Sequence, residues 1–314
     1  MLSLPRLRLL REVHRGGSLA AAARALNYTP SAVSQQLKLL ERETGTALLE
    51  PVGRGVRLTP AALGLVAHTE RILARLEKAE AELATAQDTV RGVLHVAAFQ
   101  SAVLAVAPAV LDALARDHPE LEVAITQREV EEAFEGLLAQ DFDLIISEEY
   151  PGRPDPRRAG VDVVELLRDP LHLALPLTGP WAARHRTLSA LAEAPWAMDP
   201  ADTSTGAWSR AVCRQAGFEP RVRVETFNPL LQVDLVRSGH AVAFIPALLG
   251  PRHLAGVRSV ALPGAPFRLL STQVRTGRAR HPAVVACRAA FAEAVGQMSV
   301  AAPEWALAGH GQRG

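Results

Sequence analysis

The chain has 314 residues, 48% of them apolar, which is enough for two or three domains with buried cores. Its formal net charge of +1 hides a division: residues 1–60 carry nine basic side chains against four acidic ones, the remainder twenty-five against twenty-nine, so the N-terminal segment is matched to a polyanion. No apolar run has membrane-spanning length, no secretion signal precedes the first helix, and Cys213 and Cys287 lie far apart in apolar helical patterns, so a soluble cytoplasmic protein with reduced cysteines and no membrane contact is expected.

Leu4 to His14, with Leu7, Leu10 and Val13 at helical spacing, predicts a bracing helix. Ser18 follows the helix-stopping pair Gly16-Gly17 and stands as the N-cap of an alanine-rich helix reaching Leu26. Asn27 tolerates the left-handed backbone of a turn, and Thr29-Pro30 supplies a cap and a first-turn proline for a second helix to about Glu43. With Ala23, Leu26, Val33 and Leu37 inside, the corner reads as a helix-turn-helix or as two core helices of an ordinary domain. In the first reading Pro30, Ser31, Ser34 and Gln35 face base edges, and Thr29 and Lys38 face phosphates. Ala47 to Leu58 is a wing-like hairpin with Gly53-Arg54-Gly55 at its tip, where Arg54 and Arg57 could enter a minor groove. No Lys-Ser/Thr follows those glycines to complete a phosphate loop.

Thr59-Pro60 caps a helix predicted to run to about Asp88, roughly 29 residues or about 43 Å at 1.5 Å per residue. Leu65, Ile72, Ala79 and Ala86 recur every seven residues, and Leu76 and Leu83 form a second seam. A partner chain's equivalent helix would cover that stripe; packing against its own domain is the alternative. From Arg91 strand and helix alternate: strand Val93 to Ala98, helix Ser101 to Asp117, strand Leu121 to Gln127, helix Val130 to Ala139, strand Asp143 to Ser147, the pattern of a doubly wound α/β domain. A Pro-rich loop, Pro151 to Arg158, precedes a second α/β unit with strands near Leu171 to Leu175, Ala197 to Asp199, Val222 to Thr226 and Ala241 to Ile245, and helices near Leu188 to Ala192, Gly206 to Ala216 and Pro229 to Ser238. Ala283 to Val295 reads as a last amphipathic helix and Ala301 to Gly314 as a frayed tail.

Several separated segments carry a resemblance. They are Ser18-Leu19-Ala20-Ala21-Ala22-Ala23-Arg24-Ala25-Leu26 with Thr29 to Leu37 and Leu40-Glu41, then Gly53-Arg54-Gly55-Val56-Arg57-Leu58-Thr59-Pro60, and later His118 to Val123, Asp143-Leu144-Ile145-Ile146, and Val236-Arg237-Ser238-Gly239 through Ile245-Pro246. In these the chain resembles the LysR-type transcriptional regulators over nearly its whole length. The resemblance implies an α/β protein overall: a winged helix-turn-helix in residues 1–59, a dimerising linker helix in 60–89, and an effector-binding domain of periplasmic-binding-protein type in 90–298. Its first subdomain would comprise 90–163 and 268–298, its second 164–267, with crossings near Val163 and Arg268 and a flexible tail in 299–314. It further implies a homodimer or homotetramer on double-stranded promoter DNA, a small-molecule co-inducer rather than a cofactor or metal, contact with RNA polymerase, and no catalytic residue. Three positions depart from the family pattern: Glu50-Pro51 at the wing base, Ala62 for a glycine early in the linker helix, and His240-Ala241 for a more glycine-rich turn.

The effector is expected among loops at the carboxyl ends of strands: Phe99-Gln100-Ser101, Gln127-Arg128, Asp202-Thr203-Ser204-Thr205, Phe227-Asn228 and Ile245-Pro246. Helix N-termini at Ser101 and Thr205 favour an anionic or carboxylate ligand, unless both residues merely cap their helices. The chain has no HExxH, GxSxG or CxxC motif and no complete dinucleotide loop to support an enzyme reading. The remaining alternative is a ligand-binding protein whose N-terminal helices serve assembly only.

Overall fold

The computed structural model describes residues 2–53, 55–87, 89–153, 158–182 and 187–300, with 299 and 300 described by backbone alone. Three helices open the chain, α1 Leu4–Gly16, α2 Leu19–Ala25 and α3 Pro30–Thr44. The Ser18 hydroxyl accepts from the Ala21 N–H at 3.1 Å and the Thr29 hydroxyl from the Ala32 N–H at 3.2 Å, so each of the last two starts where a side chain satisfies its free donors. Asn27 takes the left-handed φ of 55° that the corner needs. Leu7, Leu10, Val13, Ala23, Val33, Leu37 and Leu40 close the three-helix core. β1 Leu49–Val52 and β2 Gly55–Leu58 form the antiparallel wing.

Thr59 caps α4 Pro60–Thr85, a helix of 26 residues. It stops at Thr85, short of the expected Asp88, which lies outside the described residues. The heptad residues Ile72, Leu76, Ala79, Leu83 and Ala86 are exposed, while Ala62, Val66, Thr69, Leu73, Glu77 and Ala81, on another face, are buried in the same chain. One face is therefore packed against its own chain, as the alternative expects, with Leu65 at the start of the heptad half-buried on the N-terminal core, and the rest of the heptad face is open. The inward face rests on α1 and on a short turn at Thr276–Arg278. Gly277 permits the approach, since a Cβ there would lie 2.5 Å from the Ala74 carbonyl. Arg275 locks it: its Nε donates to Glu77 and its Nη1 to the carbonyls of Leu137 and Phe142, each at 2.6 Å.

The α/β region continues with β3 Gly92–Ala98, α5 Gln100–Asp117, β4 Leu121–Gln127, α6 Val130–Ala139, β5 Leu144–Glu149, β6 Val161–Pro176, β7 Pro195–Met198, α7 Ser204–Gln215, β8 Arg221–Glu225, α8 Pro229–Arg237, β9 Ala243–Pro246, α9 Gly250–His253, β10 Val257–Ala261, β11 Phe267–Arg275 and α10 Pro282–Val300. In the first subdomain β4, β3 and β5 run parallel, and β11 joins antiparallel between β5 and the first part of β6, so the sheet is mixed rather than wholly parallel. The segment that leaves this sheet, β6, keeps the parallel direction, and the one that returns, β11, runs against it.

β6 spans 16 residues where a short strand near Leu171 was expected. It pairs with β11 through Pro170 and with β9 and β10 from Leu171. The handover between subdomains thus lies at Pro170-Leu171 instead of Val163, which still pairs with Gln273 in the first sheet. Leu188–Leu191 is a 3-10 turn in place of a predicted helix. α10 continues to Val300, so the expected tail does not begin at 299, and 301–314 lie outside the described residues.

α5 and α10 cover the first sheet through Val106, Val110, Leu114, Val284, Cys287 and Phe291. An aromatic stack forms the second core, with the Trp196 and Trp208 rings 5.0 and 5.3 Å from Phe244. Cys213 and Cys287 are free and buried in these separate cores, and burial pushes both thiols up to about 12. Among the described residues no helix is long and apolar enough to cross a membrane.

Candidate functional site

On α3 the helical period separates two faces. Val33, Leu37 and Leu40 are wholly buried, while Pro30, Ser31, Gln35 and Lys38 are exposed and Ser34 is half-buried at the edge of the exposed strip. The hydroxyls of Thr29 and Ser31 lie 3.0 Å apart, and Thr29 also carries the cap bond, so its hydroxyl is committed to starting the helix. Tyr28, not anticipated from sequence, is exposed beside this N-terminus. At the wing Arg57 Nε donates to Glu50 at 2.7 Å in the open, and Arg54 lies outside the described residues.

A second site lies between the α/β subdomains, a cavity of about 50 Å³ at the carboxyl ends of strands. Of the anticipated residues, Phe99, Gln100, Ser101, Thr205, Phe227 and Pro246 line it. The others do not. Thr203 caps α7 by accepting from the Gly206 N–H at 2.9 Å, Ser204 opens that helix, and Asn228 caps α8 through the N–H groups of Leu230 and Leu231. Gln127 and Arg128 are exposed, Arg128 donating to its neighbour's carbonyl. Ser101 and Thr205 are not caps: the Ser101 hydroxyl accepts from Arg268, and the Thr205 hydroxyl donates to Glu148 at 3.4 Å.

Sequence reasoning missed the charged half of the lining, Glu129, Glu148, Asp199 and Arg268, together with the aromatic walls Tyr150, Trp208 and Phe244. Arg268 is buried at the point where β11 re-enters the first sheet. Its Nε donates to Asp169 at 2.8 Å, Nη1 to Glu148 at 2.6 Å and Nη2 to Ser101 at 2.8 Å. Burial works against the charged guanidinium, but Asp169 and Glu148 outweigh that cost and hold it above its ordinary value. The second oxygen of Asp169 accepts the Leu248 N–H at 2.8 Å, tying the strand crossing to the second subdomain.

Glu129, preceding α6, faces other carboxylates, whereas Asp199, following β7, keeps Arg268 as a partial counter-charge. Burial, then the neighbouring Glu148 and Asp199, push the Glu129 carboxyl up to about 7. Burial and Glu148 likewise raise Asp199 to about 6, against a 2.8 Å hydrogen bond from Gln232 Nε2. Gly206 lets α7 press against this corner, since a Cβ there would lie 1.9 Å from the Pro200 carbonyl.

Residues 4–63 match the bacterial regulatory helix-turn-helix protein family of lysR type, and residues 87–296 match the LysR substrate binding domain. The chain belongs to the LysR family of transcriptional regulators. It is 27% identical to the regulator TcbR of Pseudomonas sp. (strain P51) over 84% of this chain and 86% of that one. With CbbR of Xanthobacter flavus it shares 34% identity over 49% of this chain and 45% of the relative. Its fold superposes on full-length OxyR C199D from Pseudomonas aeruginosa with a TM-score of 0.65, covering 93% of this chain and 95% of that one at 20% identity.

In this LysR-family regulator, a DNA-binding protein with an effector-binding domain, α6 connects the two sites. Glu129 before its first turn lines the cavity, while at its far end the carbonyls of Glu135 and Leu138 accept hydrogen bonds from Arg15, at 2.6 Å, and Arg11 of α1.

Proposed function

We propose that this regulator reads promoter DNA with the exposed face of α3 and takes its effector in the cavity between the two α/β subdomains. Pro30, Ser31, Ser34 and Gln35 address base edges, Thr29 and Lys38 the flanking phosphates, and Arg54 and Arg57 of the wing the minor groove. Phe99, Gln100, Ser101, Thr205, Phe227 and Pro246 contact the effector. The exposed seam of α4 joins two chains, and dimers pair into a tetramer that acts on RNA polymerase in the cytoplasm.

The observation that carries the reading is the polar strip on α3, which no described part of the chain covers and which lies in the segment with the positive charge excess. The test is a footprinting titration on duplexes that the wild type enriches from a random pool. Ser34→Ala with Gln35→Ala should lose about 1–3 kcal/mol of specific binding per lost base contact while binding to unrelated DNA persists. An unchanged ratio of specific to non-specific affinity would remove α3 as the reading element.

A further inference from the structure

We propose that the cleft selects an organic cation, an amine or amidine on a small apolar or aromatic body, held between Glu129 of the first subdomain and Asp199 of the second. The inference rests on the cleft being the effector site. Arg268, the one cation among the described lining residues, is already held by Asp169, Glu148 and Ser101, two of them carboxylates that match its charge. An arriving carboxylate would have to share that arginine with them in a cavity that also holds Glu129 and Asp199. The N-terminus of α5 favours an anion, and the Ser101 hydroxyl there accepts from the same arginine, but Glu129, Glu148 and Asp199 set the balance of the cleft negative.

A cation meets the opposite situation. Glu129 and Asp199 approach from different subdomains and repel each other and Glu148, so a positive group between them satisfies both and draws the cleft shut. Trp208 and Phe227 supply aromatic surface of the kind that accepts an ammonium or guanidinium over its face, as Phe99 already accepts Arg268 at 5.1 Å. Among the described residues no three His, Cys, Asp or Glu side chains stand close enough to hold a metal ion, which points to an organic cation. Some 50 Å³ holds only a few water molecules, so the ligand is small or enters as the subdomains part.

Protons report the sign of the ligand's charge. Glu129 faces Glu148, Asp199, Glu131 and Glu132, and Asp199 faces Glu148 and Arg268. At pH 6.5 both carboxyls are partly protonated, so a bound cation ionises them and releases protons, whereas a bound anion takes protons up. The full-length protein is titrated at pH 6.5, in two buffers of different ionisation enthalpy, with benzylamine, benzyl alcohol and benzoate and with butylamine, butanol and butyrate. At least one amine should raise the melting temperature with proton release, and Glu129→Gln with Asp199→Asn should weaken its binding at least tenfold. Benzoate or butyrate binding with proton uptake, abolished by a cleft-filling Thr205→Trp, would keep the cleft as the effector site and overturn the cation. Amine binding that survives Thr205→Trp would overturn the cleft itself, and no response to either amine would overturn the cation class.

One measurement needs no ligand. Both folded carboxyls sit above their ordinary values, so their contribution to stability is present below the usual carboxylate range and is lost as pH rises through about 6 and about 7. The Glu129→Gln, Asp199→Asn protein should therefore melt higher than wild type at pH 7.5 and flatten the decline between pH 5 and 7.5. A lower melting temperature at pH 7.5 would mean that the carboxylates are satisfied by the fold, and the proposal would fall.

Discussion

Arg268 joins three elements that are distant in sequence: Asp169 on β6, Glu148 on β5 and Ser101 on α5. A buried pair of charges gives little net stability when it is complete, but removing one partner strands the other in a poorly solvated place. Arg268→Met keeps much of the volume and leaves two carboxylates facing each other. Urea unfolding at pH 7 should show a loss of about 3–5 kcal/mol, partly recovered at lower pH where a carboxyl can protonate. A loss well under 1 kcal/mol would show that the subdomain junction does not depend on this residue. The polar face of α3 was legible at residue level because a helical period assigns every position to a face without tertiary information. The charged cleft was not, because Glu129, Glu148 and Asp199 read in sequence as ordinary solvated carboxylates. The rule that ligands gather at strand ends could have found Asp199 and Glu148, each at or just beyond the end of a predicted strand. Arg268 was taken only as a crossing point between subdomains.

At the scale of elements, α4 shows how a helix serves two surfaces. The heptad seam was visible as an apolar repeat, whereas the inward face, Ala62, Val66, Thr69, Leu73, Glu77 and Ala81, has helical spacing but mixes apolar and polar side chains, so no apolar repeat marks it. Glu77 is buried there because Arg275, nearly two hundred residues away, and Gln140 donate to it. β11 was missed for the same reason: Ser271, Thr272, Gln273 and Arg275 are buried polar residues, so the strand lacks the apolar alternation that marks a core strand. β6 was read as a short strand because its first half is largely exposed or half-buried. The docking of α4 depends on a glycine that sequence could not single out. Gly277→Ala must move the Ala74 carbonyl or the turn by several tenths of an ångström. It should cost about 1–3 kcal/mol, with faster hydrogen exchange in the second half of α4 and little change in α3. Unchanged exchange there would mean that the turn does not hold the helix.

At the scale of the whole molecule, the charge division and the exposed seam address the same question, how many reading helices engage one DNA site. Ile72 and Leu83 are 41% and 71% exposed on the outer face of α4, which leaves apolar surface in water unless a second chain covers it. Substituting both with aspartate leaves the inward face of the helix intact, so the fold and its circular dichroism should be preserved while the sedimenting assembly is halved, from tetramer to dimers held by the other interface. DNA binding then carries a quantitative consequence. If two N-terminal domains contact one operator, each neutralises its own set of phosphates, and the slope of log affinity against log salt concentration scales with their total. The Ile72→Asp, Leu83→Asp protein should therefore show about half the wild-type slope, together with a loss of specific affinity larger than its loss on unrelated DNA. A variant whose assembly is halved but whose slope is unchanged would mean that one domain makes all the phosphate contacts. A variant that keeps the wild-type assembly would place this interface on another surface and leave the seam of α4 without the role assigned to it.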